Sequence, residues 1–412
     1  MTVSLQDYVP IAGADVIDQL RQLARPLQGM KVVHVNSTRV GGGVAEILAK
    51  LVPLSVDLGL DARWEVIAGD VPFYQCTKGL HNALQGHRAD VPESLRRAFE
   101  ETNARNAEEL RPVLEAANVV VVHDPQPAPL LGLTPGRKGK WVWRCHIDLS
   151  HPYRPAWKYL RQFAAGYDAS IFSLADFAQA LPHPQYIIPP SIDPLSEKNM
   201  ELDDRAIVEV CAPLGLDPAR PLVLQVSRFD RFKDPLGVIQ AYRIARRFAP
   251  GLQLALAGGG AADDPEGDAV LAEVRSAARE DAGVRVLALP DNAHRTVNAL
   301  QRAATVVVQK SLREGFGLTV TEAMWKAKPV VGGDAGGIRL QVVNHHTGFL
   351  VNTPEGAALR IQYLLRHPDL ARGMGEKGRE FVRGNFLLLR QLREHLTLML
   401  ALVHGGRDRL EL

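Results

Sequence analysis

The chain has 412 residues, 46% of them hydrophobic and 23% charged, with a formal net charge of +2. That length suits two domains, and a near-neutral chain without a basic block or aromatic–basic interleaving gives no footing for a nucleic-acid partner. No apolar run approaches the ~20 residues of a membrane span, so no membrane partner is expected. Residues 1–10 carry Asp7 and lack a charged start followed by an apolar core, which argues against a signal peptide. The three cysteines, Cys76, Cys145 and Cys211, are scattered and odd in number. They point to a reducing compartment, and a cytoplasmic location is the expectation.

Lys31-Val-Val-His-Val-Asn36 reads as a first buried strand, followed by Gly41-Gly-Gly43 and an apolar-periodic helix over 44–54. Residues 64–67, 119–122 and 141–143 read as further strands, with amphipathic helices such as 92–114 between them. Ile188-Pro-Pro-Ser-Ile-Asp-Pro-Leu-Ser196 has the composition of an interdomain linker. A second strand series follows at 222–226, 252–256, 284–287, 305–308 and 329–331, and a leucine-rich helix over 386–403 has no strand after it. Strand–helix alternation in both halves predicts an α/β protein with two doubly wound parallel sheets facing a cleft. The expected domains are 1–190, completed by the C-terminal helix 386–412, and 191–385. In such sheets ligands bind at the carboxyl ends of the strands.

Glu314-Gly-Phe-Gly-Leu-Thr-Val-Thr-Glu322 sets two carboxylates eight residues apart, between an apolar strand and a helix. With ~1.5 Å of rise per helical residue plus the loop, the carboxylates would stand on the order of 10 Å apart. Hydroxyls at both ends of a ligand would suit them. The backbone N–H groups from Gly315 through Phe316 and Gly317 to Leu318 would meet an anion in the middle. A nucleotide sugar has that layout, although two solvated helix-cap carboxylates would give the same pattern. Arg228 and Lys233 follow the first strand of the second series and can approach one anion from two sides, or pair with Asp230 and Asp234 in a solvated loop. Such cations would stabilise a diphosphate leaving group as its bond to the sugar breaks.

The Gly41-Gly-Gly43 loop lacks the spacing of a dinucleotide fingerprint, since Glu46 stands where the third glycine belongs. It still lets a phosphate or sugar approach the backbone, or it is a tight turn only. His146 falls near a strand end and suits a sugar hydroxyl. Cys145, Asp148 and His151 beside it lack metal-site spacing, and no Asp-x-Asp triplet occurs in the chain. His123-Asp-Pro-Gln126 offers polar groups to an acceptor sugar, or a proline turn. His345-His346 reads as a surface loop. No nucleophile elbow and no P-loop lysine motif are present.

Together these segments resemble the retaining glycosyltransferases of the glycogen-synthase-like superfamily, whose fold is two Rossmann-like doubly wound domains facing a cleft (GT-B). The matching pieces are the Gly41 loop, His146, Arg228 with Lys233, and the Glu-x7-Glu motif at Glu314 and Glu322. A narrower resemblance is to the trehalose synthases of the glycosyltransferring type. It is carried by Gly-Gly-Gly-Val-Ala-Glu46, His81-Asn-Ala-Leu-Gln-Gly86, His123-Asp-Pro-Gln-Pro127, Trp143-Arg-Cys-His-Ile-Asp-Leu-Ser150 and Pro190-Ser-Ile-Asp-Pro-Leu-Ser-Glu-Lys-Asn199.

The resemblance implies transfer of glucose, with retention, from a nucleoside-diphosphate glucose to the anomeric hydroxyl of free glucose, without an obligatory metal or cofactor. It implies that Glu314 and the amides of Gly315–Gly317 hold the donor glucose, Glu322 the ribose, Arg228 and Lys233 the diphosphate, and His146 the hydroxymethyl end of the donor sugar. Asn36, Gly41, Gly42, Gly43, Asp124, Gln126, Asp148 and Ser150 are the acceptor-side candidates. The partners are then a nucleotide sugar and glucose or trehalose, with a homo-oligomer left open. Within the same architecture the rival is a retaining trehalose phosphorylase, for which a ribose-binding Glu322 has no purpose. A non-catalytic nucleotide-sugar sensor is the reading from another class.

Overall fold

The computed structural model describes residues 4–40, 42–88, 90–259 and 267–403. They divide into two compact units, Met1–Pro190 with Leu388–Leu412, and Ser191–Leu387. Both are doubly wound α/β units of GT-B type.

The first unit carries six parallel strands: β1 (Lys31–Asn36), β2 (Asp61–Val66), β3 (Val119–His123), β4 (Lys140–Arg144), β5 (Ala169–Phe172) and β6 (Gln185–Ile187). Their order is β2-β1-β3-β4-β5-β6, so the winding reverses between β1 and β3. Valine fills β3 except at His123, and every residue of that strand is buried, as a parallel strand covered on both faces requires. The pleat sends alternate residues to opposite faces. One face presents Val33, Val35, Val120, Val122, Trp141 and Trp143 to Phe73, Leu80 and Phe99 of the helices Val71–Leu84 and Glu93–Ala116. The other presents His34, His123 and Arg144, by the pairings His34 with Val121 and His123 with Arg144. The helix Leu388–Val403 packs against the helices Ala14–Ala24 and Gly43–Asp57, and sets its His395 ring 6.2 Å from that of His34.

The second unit repeats the plan with β7 (Leu222–Val226), β8 (Gln253–Gly258), β9 (Val284–Ala288), β10 (Val306–Gln309), β11 (Val330–Gly333) and β12 (Gly348–Val351). All pair in parallel, in the order β12-β11-β10-β7-β8-β9, and the winding reverses between β7 and β10. Val238 and Ile239 of the helix Pro235–Arg246 pack with Ala357 and Ile361 of Pro354–Arg366 on Val223, Leu254, Val306 and Val331. No described helix is long and apolar enough to cross a membrane.

Strands β5, β6 and β12 are absent from the sequence reading. Each has only three or four residues, and Ala169-Ser-Ile-Phe172 and Gly348-Phe-Leu-Val351 are too short for a period to emerge. The helices run longer or shift slightly against expectation. Gly43–Asp57 continues past Leu54 because Pro53 lies in its interior and does not end it. The C-terminal helix begins at Leu388, after Phe386 and Leu387.

Candidate functional site

In doubly wound sheets the crevice for ligands opens where the winding reverses, beyond the carboxyl ends of the flanking strands. In the second unit those strands are β7 and β10, and the loops that leave them are tied to each other. After β7, Asp230 caps a short turn by accepting the Phe232 N–H at 2.8 Å. Asp234 then adopts a left-handed backbone (φ 50°) and caps the helix Pro235–Arg246 through the Gly237 N–H. After β10, Lys310 is buried and its ammonium pairs with Asp234. Leu312 N–H donates to the Phe232 carbonyl at 2.7 Å.

The tie that matters chemically is Lys233 with Glu314. Lys233 Nζ stands 2.7 Å from both carboxylate oxygens, and Ser311 Oγ donates to Oε2 at 3.0 Å. Arg228 pairs with Asp230 at 3.5 Å and keeps its guanidinium partly exposed. The sequence offered Asp230 and Asp234 as partners for the two cations. Arg228 takes the first, but Lys233 goes to Glu314 and Asp234 to Lys310.

Gly317, with φ 87°, turns the chain into the helix Leu318–Trp325. Among the described residues the amides of Gly315, Phe316 and Gly317 make no hydrogen bond. Their position depends on partners the sequence did not reveal. A Cβ on Gly336 would lie 1.6 Å from the Glu314 carbonyl oxygen, and one on Gly337 2.4 Å from Phe316 Cα. Buried Gln341 donates to the Phe316 carbonyl at 2.6 Å and accepts from Thr321 Oγ1. The Phe316 ring packs edge-on against Phe386, which leaves only its backbone for a ligand.

Glu322 sits one turn into the same helix and is buried. Its Oε2 accepts from Gln301 Nε2 at 3.2 Å, and Lys198 Nζ approaches Oε1 at 3.6 Å. Lys326, four residues on, donates to the Glu322 carbonyl and to Asn199 Oδ1. Burial pushes its ammonium well below the usual lysine range, against the pull of Glu322.

In the first unit the reversal lies between β1 and β3. Asn36 ends β1 with both ends of its amide used: Nδ2 donates to the Thr38 carbonyl at 2.8 Å, and Oδ1 accepts from Trp64 Nε1 at 2.8 Å. It shapes the turn ahead of the glycine loop. Gly42 (φ 85°) precedes Gly43, the first residue of the helix Gly43–Asp57, whereas Gly41 lies outside the described residues.

Asp124 follows β3 with φ 65° and accepts the His146 N–H at 2.6 Å. Burial raises its carboxyl to about 7, against that hydrogen bond and the Arg144 charge. Gln126 buries an Oε1 that has no hydrogen-bond partner among the described residues. Asp148 accepts from both the N–H and the Oγ of Ser150, so this pair of acceptor candidates serves each other.

His146 is partly exposed, and its Nε2 lies 3.1 Å from His123 Nδ1. His123 Nε2 in turn lies 3.0 Å from His34 Nδ1. Arg144 is buried beside them, with Nη2 on Ser173 Oγ and, among the described residues, no hydrogen-bond partner for Nε or Nη1. Burial lowers it to about 10. His34 was readable from strand parity, since His34 and Asn36 alternate with Val33 and Val35 of β1, whereas the unbroken valine run before His123 carries no such signal. Among the described residues no group of three or more His, Cys, Asp or Glu side chains could hold a metal ion.

Comparison with known proteins adds the lineage. Residues 34–179 match the family model "Trehalose synthase, N-terminal domain" and residues 211–381 match "Glycosyl transferases group 1". The trehalose synthase of Thermococcus litoralis is 45% identical over 96% of this chain and 96% of its own length. The trehalose phosphorylase of Pleurotus pulmonarius is 27% identical over 86% of this chain and 55% of its own length. The crystal structure of an α,α-trehalose-phosphate synthase (UDP-forming) from Burkholderia vietnamiensis shares the fold with a TM-score of 0.72 at 17% identity, covering 90% of this chain and 96% of that one.

Two outcomes follow from this geometry. Gly336→Ala forces a methyl group into the Glu314 carbonyl at a backbone of φ 45°. It should cost roughly 2–4 kcal/mol of stability in denaturant melts, from overpacking and a strained left-handed alanine. A wild-type melt would show that the turn yields instead. Asp124→Asn keeps the oxygen that accepts the His146 N–H and tolerates the positive φ. The folded pKa of Asp124 lies above its unfolded value, so its ionisation costs stability from about pH 4 upward, fully above about 7. The melting temperature of the variant minus that of wild type should therefore climb between pH 4 and 7 and then level. A flat difference would remove the titration from Asp124.

Proposed function

The chain belongs to the trehalose synthase family of glycosyltransferases, and from that premise we propose that it moves glucose, with retention, from a nucleoside-diphosphate glucose to the anomeric hydroxyl of free glucose, making α,α-trehalose. The observation that carries the donor half of this reading is Lys233 held at 2.7 Å from both oxygens of Glu314, at the winding reversal of the second sheet. A buried acceptor for sugar hydroxyls and a cation for phosphate thus stand side by side in the loops that leave β7 and β10.

In this reading Arg228 and Lys233 bind the diphosphate and stabilise the charge that grows on it as the bond from the glucose C1 breaks. The amides of Gly315, Phe316 and Gly317 face the developing anion, and Glu314 takes hydroxyls of the glucose. Glu322 would receive the ribose once Lys198 swings off Oε1. His146 serves the hydroxymethyl end of the donor sugar, and Asp124, Gln126 and the glycine loop serve the acceptor. The acceptor oxygen bonds to C1 on the face the phosphate leaves. Its proton passes to a phosphate oxygen of the departing diphosphate, so no carboxylate nucleophile and no metal enter the step.

The test is product analysis with a panel of nucleoside-diphosphate glucoses and free glucose, in the presence of a chelator. Trehalose and free nucleoside diphosphate are the expected products. Trehalose from glucose 1-phosphate and glucose alone would replace the synthase reading with a phosphorylase, and tight nucleotide-sugar binding without turnover would replace it with a sensor. In the same assay Arg228→Ala should lower kcat by about 10²-fold or more while the KM for glucose changes little, as expected of a charge that acts on the leaving group. An unchanged kcat would take Arg228 out of the reaction.

A further inference from the structure

The sheet face beneath the C-terminal helix holds three imidazoles in a file. His34 Nδ1 lies 3.0 Å from His123 Nε2, and His123 Nδ1 lies 3.1 Å from His146 Nε2. Successive rings are tilted by only 31° and 18°, which brings each N–H toward the in-plane lone pair of the next ring. We propose that His34 and His123 are positioning residues for the glucosyl transfer, and that they act by fixing the tautomer in which His146 carries its proton on Nδ1 and donates it to a sugar oxygen. This rests on the proposed function for the identity of the sugar, though not for the state of the ring.

The argument starts from what a hydrogen bond between two imidazoles requires. One nitrogen must carry the proton and the other must offer a lone pair, so neutral rings in a file choose their tautomers together. Burial holds His34 down to about 4 and His123 and His146 well below the usual histidine range, so all three are neutral near pH 7. Only two arrangements of the file then exist. Either every ring donates outward, from His34 toward His146, or every ring donates inward.

The inner end decides between them. Among the described residues the buried His34 Nε2 has no hydrogen-bond partner, and the neighbouring His395 Nε2 has none either. Inward donation would put a proton on His34 Nε2 and bury an orphaned N–H. Outward donation leaves a bare lone pair there, which proteins tolerate better than an orphaned donor. The file therefore runs outward, His146 Nε2 accepts, and His146 Nδ1 keeps the proton at the partly exposed end. A hydroxyl of bound glucose offers the lone pair that this N–H needs. Asp124 supports the same ring by accepting the His146 backbone N–H, which fixes where the file ends.

Nitrogen-15 labelling of the histidines tests this directly, because two-bond proton–nitrogen correlations show which ring nitrogen is protonated. His146→Asn identifies the His146 signals by their loss. At pH 7 wild type should show the Nδ1–H tautomer at His34, His123 and His146. An Nε2–H tautomer at His146, or an imidazolium anywhere in the file, would overturn the proposal. In His123→Phe the His146 ring should lose its preference for Nδ1–H, and kcat for trehalose formation should fall roughly tenfold, with a smaller change in the donor KM. A folded His123→Phe protein that keeps the wild-type tautomer would also overturn it, and if that variant does not fold, the wild-type spectrum decides. The spectrum is recorded without substrate, so its failure and a failure of the trehalose assay are separate events.

Discussion

A carboxylate withdrawn from water must be paired, and the second unit is organised around that requirement at Glu314. Removing the partner of a buried charge costs about 3–5 kcal/mol, far more than the pair gains over apolar neighbours. Lys233 meets the requirement from the loop after a different strand, 81 residues away in sequence, with Ser311 satisfying a further lone pair. The loops after β7 and β10 are thereby fixed to each other. Lys310 with Asp234 and Leu312 with Phe232 repeat the tie on either side. In the proposed reaction an entering diphosphate would need only to compete for Lys233. That limits the ordering it must impose.

The first unit solves the same problem with neutral groups. Its polar face lies within a fully wound sheet, where three adjacent charges would repel one another and Arg144 already supplies one. Desolvation keeps the imidazoles uncharged, and His123, between the other two, can then donate to one neighbour and accept from the other. The helix Leu388–Val403 closes over that face with Leu392 and Leu396 buried, although it comes from the far end of the chain. Strand parity and chain return thus make a buried polar layer, with His146 at its partly exposed end.

Much of this was legible because its determinants are local. Lys31–Asn36 and Leu222–Val226 are long, β-branched and bounded by turn residues, and the structure gives them with those bounds. The Glu314–Glu322 segment folds as loop, glycine turn and helix, as its residue types indicate. What was not legible depends on neighbours distant in sequence. Nothing in the sequence around Gly336 announces that a Cβ there would strike the Glu314 carbonyl, and nothing around Gln341 announces that it braces Phe316. The pairing of Lys233 with Glu314 rather than Asp234 follows from strand order, which alternation alone does not supply. His34 is the intermediate case, since its face could be read from parity but its partners could not.

Glu322 shows how far a site residue's chemistry can be inferred from its type. As an isolated carboxylate it argues for a ribose, and hence for a nucleotide rather than inorganic phosphate. In the folded chain it also balances Lys198, accepts from Gln301 and raises the proton affinity of buried Lys326, which burial otherwise lowers. A residue with those duties would be kept for the stability of its own unit whether or not a ribose ever arrives. Its presence therefore does not separate a synthase from a phosphorylase. The distinction passes to the leaving group itself. The identity of the leaving group is then a question for Arg228 and Lys233, the two cations that would meet it.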